Sequence, residues 1–283
     1  MSADDTNSAM GDDVEPRNLD GRETVPVVAA VLAAGFGTRF DAQQPKQLLE
    51  IDGKTLVAWS VEAFDKCPQV SDVVVVVNPQ VREQVEQALK DYVKVRMVIP
   101  GGAERADSTM EALQTLSSAG IPAQAKILIH DAARPFVTGD AIISCIDALD
   151  AYDAATLAVQ STDTVLITHD SGDRRVIGSV PERESTFRAQ TPQAFRFHTI
   201  VRAYELASSD EEFHPTDDTR AVVEYLPEVE VAVVAGSPDN MKITRKEDIP
   251  RAEHIAEERK RADARGVVHR MLEQALGEPS PGI

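Results

Sequence analysis

The sequence predicts an α/β protein, a doubly wound and mostly parallel sheet with a projecting β-hairpin arm. Three observations carry this expectation. Strand-like and helix-like segments alternate from Val25 onward. Several of the strand-like segments are continuous apolar runs, as strands buried on both faces require. One stretch, about residues 161–193, breaks the rhythm with two short runs around a tight turn.

The first run, Val25–Leu32, has the length and β-branched content of a buried strand. A helix follows over Thr55–Cys67, with Leu56, Trp59, Ala63, Phe64 and Cys67 on one stripe. Asp72–Asn78 is a β-branched run between turn residues, then Val81–Tyr92 reads as helix and Val93–Ile99 as strand. Ala106–Ser117 (helix), Lys126–His130 (strand), Asp140–Tyr152 (helix) and Ala154–Gln160 (strand) continue the alternation. Asp163–Thr168 and Arg174–Val180, joined by a Gly-containing turn, form the expected hairpin; it has too little apolar material to stand alone. Helices over Phe197–Ala207 and Asp217–Tyr225, a strand over Val229–Ala235 and a charged helix over about Lys246–Leu276 complete the chain. The expected organisation is an acidic tail (1–24), one domain (25–252) carrying the arm, and a helical extension (253–283).

The chain has 283 residues and a formal net charge of −18, which argues against nucleic-acid binding. Residues 1–24 hold seven acids against Arg17 and Arg22, a composition expected to stay disordered. No window is long and apolar enough for a membrane span, and the first residues lack the pattern of a secretory signal. Cys67 and Cys145 have no metal or redox spacing, as in a reduced, cytoplasmic protein.

In doubly wound sheets, ligands bind beyond the carboxyl ends of the strands, so the loops there carry the candidate chemistry. After the first strand come Ala33, Ala34, Gly35 and Gly37, a loop stripped of bulk, with Arg39 and Lys46 behind it. Backbone N–H groups can approach phosphate closely in such a loop, and two cations stand at its rim. It is neither a dinucleotide fingerprint nor a P-loop, because GxGxxG and GxxxxGK[ST] are both absent. Pro100-Gly-Gly-Ala-Glu-Arg-Ala-Asp-Ser108 offers Gly102, Arg105 and Ser108 at a helix start, a set able to read a base or a ribose. Asp131 follows a buried strand with Arg134 three residues on, which suits Mg²⁺ held by one carboxylate and by phosphates. Asp239 supplies a second candidate carboxylate and Lys242 another cation. No nucleophile–base signature is present. Cations, glycines and one or two carboxylates are equipment for phosphoryl or nucleotidyl transfer.

In their order and spacing, AAGFGTR…PKQ, GGAERADS, HDAARPF, DTV, TPQAF, TDDT and DNMKIT resemble the 2-C-methyl-D-erythritol 4-phosphate cytidylyltransferases, CTP-dependent enzymes of the non-mevalonate isoprenoid pathway. The resemblance covers roughly Val25 to Arg251. It implies a nucleotidyltransferase fold, a homodimer joined by the arm, and Mg²⁺. It implies that Arg39 and Lys46 act on the CTP phosphates, that Gly35, Gly102, Arg105 and Ser108 bind the nucleotide, and that Asp131 holds the metal. Arg134, Thr164, Arg183, Thr191, Thr216 and Lys242 resemble the contacts to the substrate phosphate and polyol, with Arg183 reaching the partner's site. Ala103 departs from the pattern, standing where some members carry aspartate. Alternatives are a cytidylyltransferase for another polyol phosphate, such as ribitol 5-phosphate, and a nucleotide-binding module without turnover.

Overall fold

A computed structural model describes residues 25–35, 45–210, 213 and 215–276. The acidic tail and the candidates Gly37 and Arg39 lie outside the described residues. The elements are β1 (Val27–Ala33), β2 (Glu50–Ile51), β3 (Lys54–Thr55), α1 (Leu56–Asp65), β4 (Asp72–Val77), α2 (Arg82–Leu89), β5 (Val95–Pro100) and α3 (Arg105–Ser118). They continue with β6 (Lys126–Asp131), α4 (Gly139–Ala148), β7 (Ala154–Gln160), β8 (Ile167–Ser171), β9 (Arg174–Ser179) and β10 (Phe187–Arg196). The last are α5 (Phe197–Ala207), α6 (Asp218–Tyr225), β11 (Val231–Ala235) and α7 (Ile249–Leu276).

Seven strands form one sheet in the order β11-β7-β10-β6-β1-β4-β5. Within this sheet, among the described residues, only β10 runs antiparallel to its neighbours. Alternate residues of the apolar runs serve opposite faces. Val27, Ala29 and Val31 of β1 join Val61 and Phe64 of α1, Val85 of α2 and Ile142 of α4 on one side. Val28, Ala30 and Leu32 join Leu113 of α3, Ile200 of α5 and Val222 of α6 on the other. A strand with two buried faces has no polar phase, which is why these runs read as unbroken.

The first hairpin strand lies later than expected, at Ile167–Ser171 in place of Asp163–Thr168, and two larger differences concern the sheet and the last helix. The stretch assigned to the arm ends earlier, because β10 takes Phe187 onward into the centre of the sheet between β6 and β7. Pro192 argues against a central strand. The structure accommodates it at a register shift between Ala189 and Gln193. The other difference lies at residue 253. Ala252, Ile255 and Ala256 of α7 pack with Ile51, Leu56, Phe136 and Ile243 in a third apolar cluster. Three apolar residues at helical spacing suffice to dock the start of a helix whose sequence reads as charged.

The chain steps from β1 outward to β4 and β5, then returns to β6 on the opposite side of β1. The crossovers diverge at that reversal and open a crevice at the carboxyl ends of β1 and β6.

Candidate active site

The crevice holds a cavity of about 390 Å³ bordered by Ala33, Ala34, Gly35, Lys46, Gly102, Arg105, Ser108, Asp131 and Lys242. The loop after β5 comes this close because Gly101 and Gly102 carry no side chains. A Cβ added at Gly101 would lie 2.4 Å from the Ala34 Cβ, and one at Gly102 would lie 2.1 Å from the Asp107 Cβ. The turn leads into α3, whose entry is held by reciprocal bonds between Glu104 and Asp107. The N-terminal end of α3 therefore borders the cavity, with Ser108 buried on its first turn and donating to the Glu104 carbonyl at 3.1 Å. Backbone donors and helix dipole both favour an anion there.

Asp131 closes β6 at the floor. Its Oδ1 accepts from Arg105 Nε at 3.0 Å and its Oδ2 from Lys242 Nζ at 2.7 Å. Burial alone would raise its pKa, but the charges of Arg105 and Lys242 outweigh burial and hold the carboxyl well below the usual carboxylate range. Arg105 is also buried, which by itself disfavours its charge, yet Asp218 and Asp131 keep it firmly cationic. Its Nη1 lies 2.7 Å from Asp218 Oδ2. Lys46 donates to the Ile243 carbonyl at 2.6 Å, tying the loop after β1 to the loop after β11.

A second cavity, of about 510 Å³, adjoins the first. Arg105, Asp131 and Lys242 border both. Its lining also includes Arg134, Gln190, Thr191, Thr216 and Arg220, with the acids Asp217 and Glu224. Arg134 donates to the carbonyls of Asn240 and Ala189 at 2.9 and 3.3 Å, so it reaches across from the β6 loop to β10 and the β11 loop. The Asp131 N–H donates to Thr191 Oγ1 at 3.1 Å, and Thr191 in turn meets His130 Nδ1 at 3.0 Å. His130 Nε2 lies 3.0 Å from the Arg134 carbonyl. The Arg134 carbonyl can only accept, so Nε2 carries the proton, and in the neutral ring Nδ1 accepts from the Thr191 hydroxyl. Full burial pushes the His130 pKa down to about 4, in keeping with that neutral form.

The structure thus brings Ala33, Ala34, Gly35, Lys46, Gly102, Arg105, Ser108, Asp131, Arg134, Thr191, Thr216 and Lys242 around two adjoining cavities. Three described candidates lie elsewhere. Asp239 is exposed, borders neither cavity, and has its Oδ1 3.8 Å from Arg251 Nη2. Arg183 donates to Thr164 Oγ1 at 3.2 Å at the base of the arm, and neither residue borders either of these two cavities. Among the described residues, no group of three or more His, Cys, Asp or Glu gathers as a metal cage. Of the carboxylates lining the two cavities only Asp131 is buried, with Glu104, Asp217 and Glu224 more open to solvent, a donor set that fits Mg²⁺ sharing substrate phosphates and does not fit an all-protein metal site.

Sequence reasoning passed over Asp218 and Asn240. Asp218 is fully buried behind Arg105. Asn240 Nδ2 donates to the Thr191 carbonyl at 2.9 Å. Both stood inside noted motifs, TDDT and DNMKIT, but nothing in one dimension says which member of a polar run turns inward.

Residues 27–258 match the family model described as IspD: 2-C-methyl-D-erythritol 4-phosphate cytidylyltransferase. The chain is 59% identical over 274 residues to the 2-C-methyl-D-erythritol 4-phosphate cytidylyltransferase of Bifidobacterium longum (strain DJO10A), covering 94% of each. It is 42% identical to that of Thermobifida fusca (strain YX), over 81% of this chain and 92% of the relative. The fold superposes on the crystal structure of 4-diphosphocytidyl-2C-methyl-D-erythritol synthase from Anaerococcus prevotii with a TM-score of 0.71 and 26% identity, covering 83% and 97% of the two chains. A site of one buried carboxylate, cations and backbone donors on this sheet, with a family match running from β1 into α7, leads to one assignment: the chain belongs to the 2-C-methyl-D-erythritol 4-phosphate cytidylyltransferase family.

Proposed function

We propose that the protein transfers CMP from CTP to 2-C-methyl-D-erythritol 4-phosphate, giving 4-diphosphocytidyl-2-C-methyl-D-erythritol and pyrophosphate. The observation that carries the reading is the wall of Arg105, Asp131 and Lys242 shared by two adjoining cavities. The cavity at the α3 N-terminus suits the nucleotide. The other, with Arg134, Thr191 and Thr216, suits the polyol phosphate.

Both reactants are polyanions, and their repulsion is the first obstacle. Two unit charges about 4 Å apart repel by about 4 kcal/mol at an effective dielectric near 20. Lys46 stands at the nucleotide cavity and Lys242 on the boundary, so cations face the triphosphate and the attacking phosphate before they meet. Arg39 joins Lys46 in this role by the family resemblance. A 4-phosphate oxygen then attacks the α-phosphorus in line, the bond to the bridging oxygen breaks, and pyrophosphate departs with the electron pair. The protein's residues position the reactants and neutralise charge without forming a covalent intermediate. Asp131 would hold Mg²⁺, which when bound supplies further charge neutralisation on the phosphates.

The reading extends to a homodimer. The residues of β8 and β9 are exposed throughout, and Ile167, Val176, Ile177 and Val180 present apolar side chains that the chain does not cover itself. Pairing with a second arm would bury them and carry Arg183 and Thr164 to the partner's second cavity. No helix among the described residues is long and apolar enough to cross a membrane. Two buried free cysteines are in keeping with a cytoplasmic enzyme.

The test is pyrophosphate release from each of the four nucleoside triphosphates, with 2-C-methyl-D-erythritol 4-phosphate or ribitol 5-phosphate as acceptor. The expected result is selective turnover of CTP with the methylerythritol phosphate. Faster turnover of ribitol 5-phosphate, or none of either, would overturn the reading.

A further inference from the structure

We propose that Asp218 is a positioning residue for the transfer, a carboxylate that touches neither substrate and holds the Arg105 guanidinium on the wall between the two cavities. The proposal rests on the function given above.

Asp218 has no exposed surface and borders neither cavity, although Thr216, Asp217 and Thr219 around it border the second. Its Oδ2 lies 2.7 Å from Arg105 Nη1. Its Oδ1 accepts from Thr109 Oγ1 at 2.9 Å and from the Tyr204 hydroxyl at 2.6 Å, and its backbone N–H donates to Gln193 Oε1 at 2.9 Å. Residues of α3, α5 and β10 therefore fix a carboxylate that belongs to α6.

A buried ion pair is weak evidence for stabilisation, because well-packed apolar replacements often serve as well. What distinguishes this pair is where its cation stands. Arg105 bridges two carboxylates, with Nε on Asp131 and Nη1 on Asp218. Without Asp218, the guanidinium fork is free to turn and grip Asp131 with two parallel bonds. That arrangement would draw Arg105 away from the nucleotide and occupy both oxygens of Asp131. Asp218 thereby sets what both Arg105 and Asp131 present to the ligands, and it does so from outside either cavity.

Asp218→Asn retains the shape and the oxygen that Thr109 and Tyr204 bond, and removes the charge facing Arg105. The wild-type enzyme is assayed first for pyrophosphate release from CTP. An inactive wild type would sink the functional reading itself, a result distinct from any failure of Asp218. With an active wild type, folded Asp218→Asn is expected to lose fivefold or more in kcat/KM for CTP, mainly through a higher KM. Tyr204→Phe removes one hydrogen bond from the same carboxylate but not its charge, and is expected to stay within fivefold. A smaller loss in Asp218→Asn, or an equal loss in Tyr204→Phe, overturns the proposal. If Asp218→Asn does not fold, Arg105→Gln is compared with the double variant Arg105→Gln/Asp218→Asn, which leaves no lone ion at the Arg105–Asp218 contact. Asp218 acts through Arg105, so the two should agree within fivefold, both well below wild type. A further fivefold loss in the double variant, or wild-type kcat/KM in Arg105→Gln, overturns the assignment.

Discussion

Lys242→Ala is the most direct probe of the wall between the cavities. In the folded chain the Lys242 Nζ sits 2.7 Å from Asp131 Oδ2, and the side chain keeps 39% of its surface exposed. Its removal leaves Asp131 paired with Arg105, so no buried charge is stranded. Because the Lys242 end of the pair is exposed and Asp131 keeps its Arg105 partner, the stability cost should stay at about 1 kcal/mol. The catalytic cost is larger. An ammonium about 3 Å from a phosphate oxygen is worth about 5 kcal/mol at an effective dielectric near 20. Only the part gained as charge moves onto the reacting phosphates lowers the barrier. Deleting one preorganised donor of this kind costs about 10²–10³ in turnover. Steady-state pyrophosphate release, run beside thermal melting of the same preparation, reads both quantities. A variant that melts like the wild type and keeps kcat/KM within fivefold would refute the idea that this cation offsets the repulsion between the reactants.

Three further outcomes follow from the geometry. If arms exchange across a dimer, Lys46→Ala and Arg183→Ala homodimers should each be nearly inactive, yet a co-refolded equal mixture should reach about a quarter of wild-type activity, since half the dimers carry one complete site; no recovery despite verified subunit exchange would place Arg183 in its own chain's site. His130 has a folded pKa depressed to about 4 by burial, so as pH falls below about 6.5 the unfolded chain takes up the proton first, and the stability the neutral ring contributes is lost between about pH 6.5 and 4, by about 3 kcal/mol. Urea titrations of wild type and His130→Gln across that window should show the slope in the wild type and its loss in the variant; parallel curves would contradict it. Gly101→Ala places a methyl 2.4 Å from the Ala34 Cβ and should cost about 1–3 kcal/mol while weakening CTP binding, as read by melting and calorimetry; a variant with unchanged melting and affinity would show that the two loops have room to part.

Much of the site could be read from the chain because its chemistry is local. A loop without side chains after an apolar strand, or an aspartate ending another, is written in consecutive residues. Burial on both faces likewise makes β1 and Val73–Val77 of β4 uninterrupted apolar runs, and gives β6 its apolar centre Ile127–Ile129. Consecutive residues therefore specify the alternation of elements, the strand-end loops and the types of charge they carry. Tertiary structure alone decided the rest. The strand β10 contains a proline and no regular pattern, and it becomes a strand because β6 and β7 offer ladders on both of its sides. The start of α7 joins the core because Phe136 and Ile243 wait for Ile255 and Ala256. Asp239 and Asp218 are both acids in motifs near strand ends or helix starts. One faces solvent beside Arg251, while the other is sealed behind Arg105. The direction in which a polar residue turns depends on which partners other segments bring to it, and those partners are 109 residues away for Thr109 and 14 for Tyr204. Such choices are energies of assembly, set by desolvation and pairing at the moment distant segments meet.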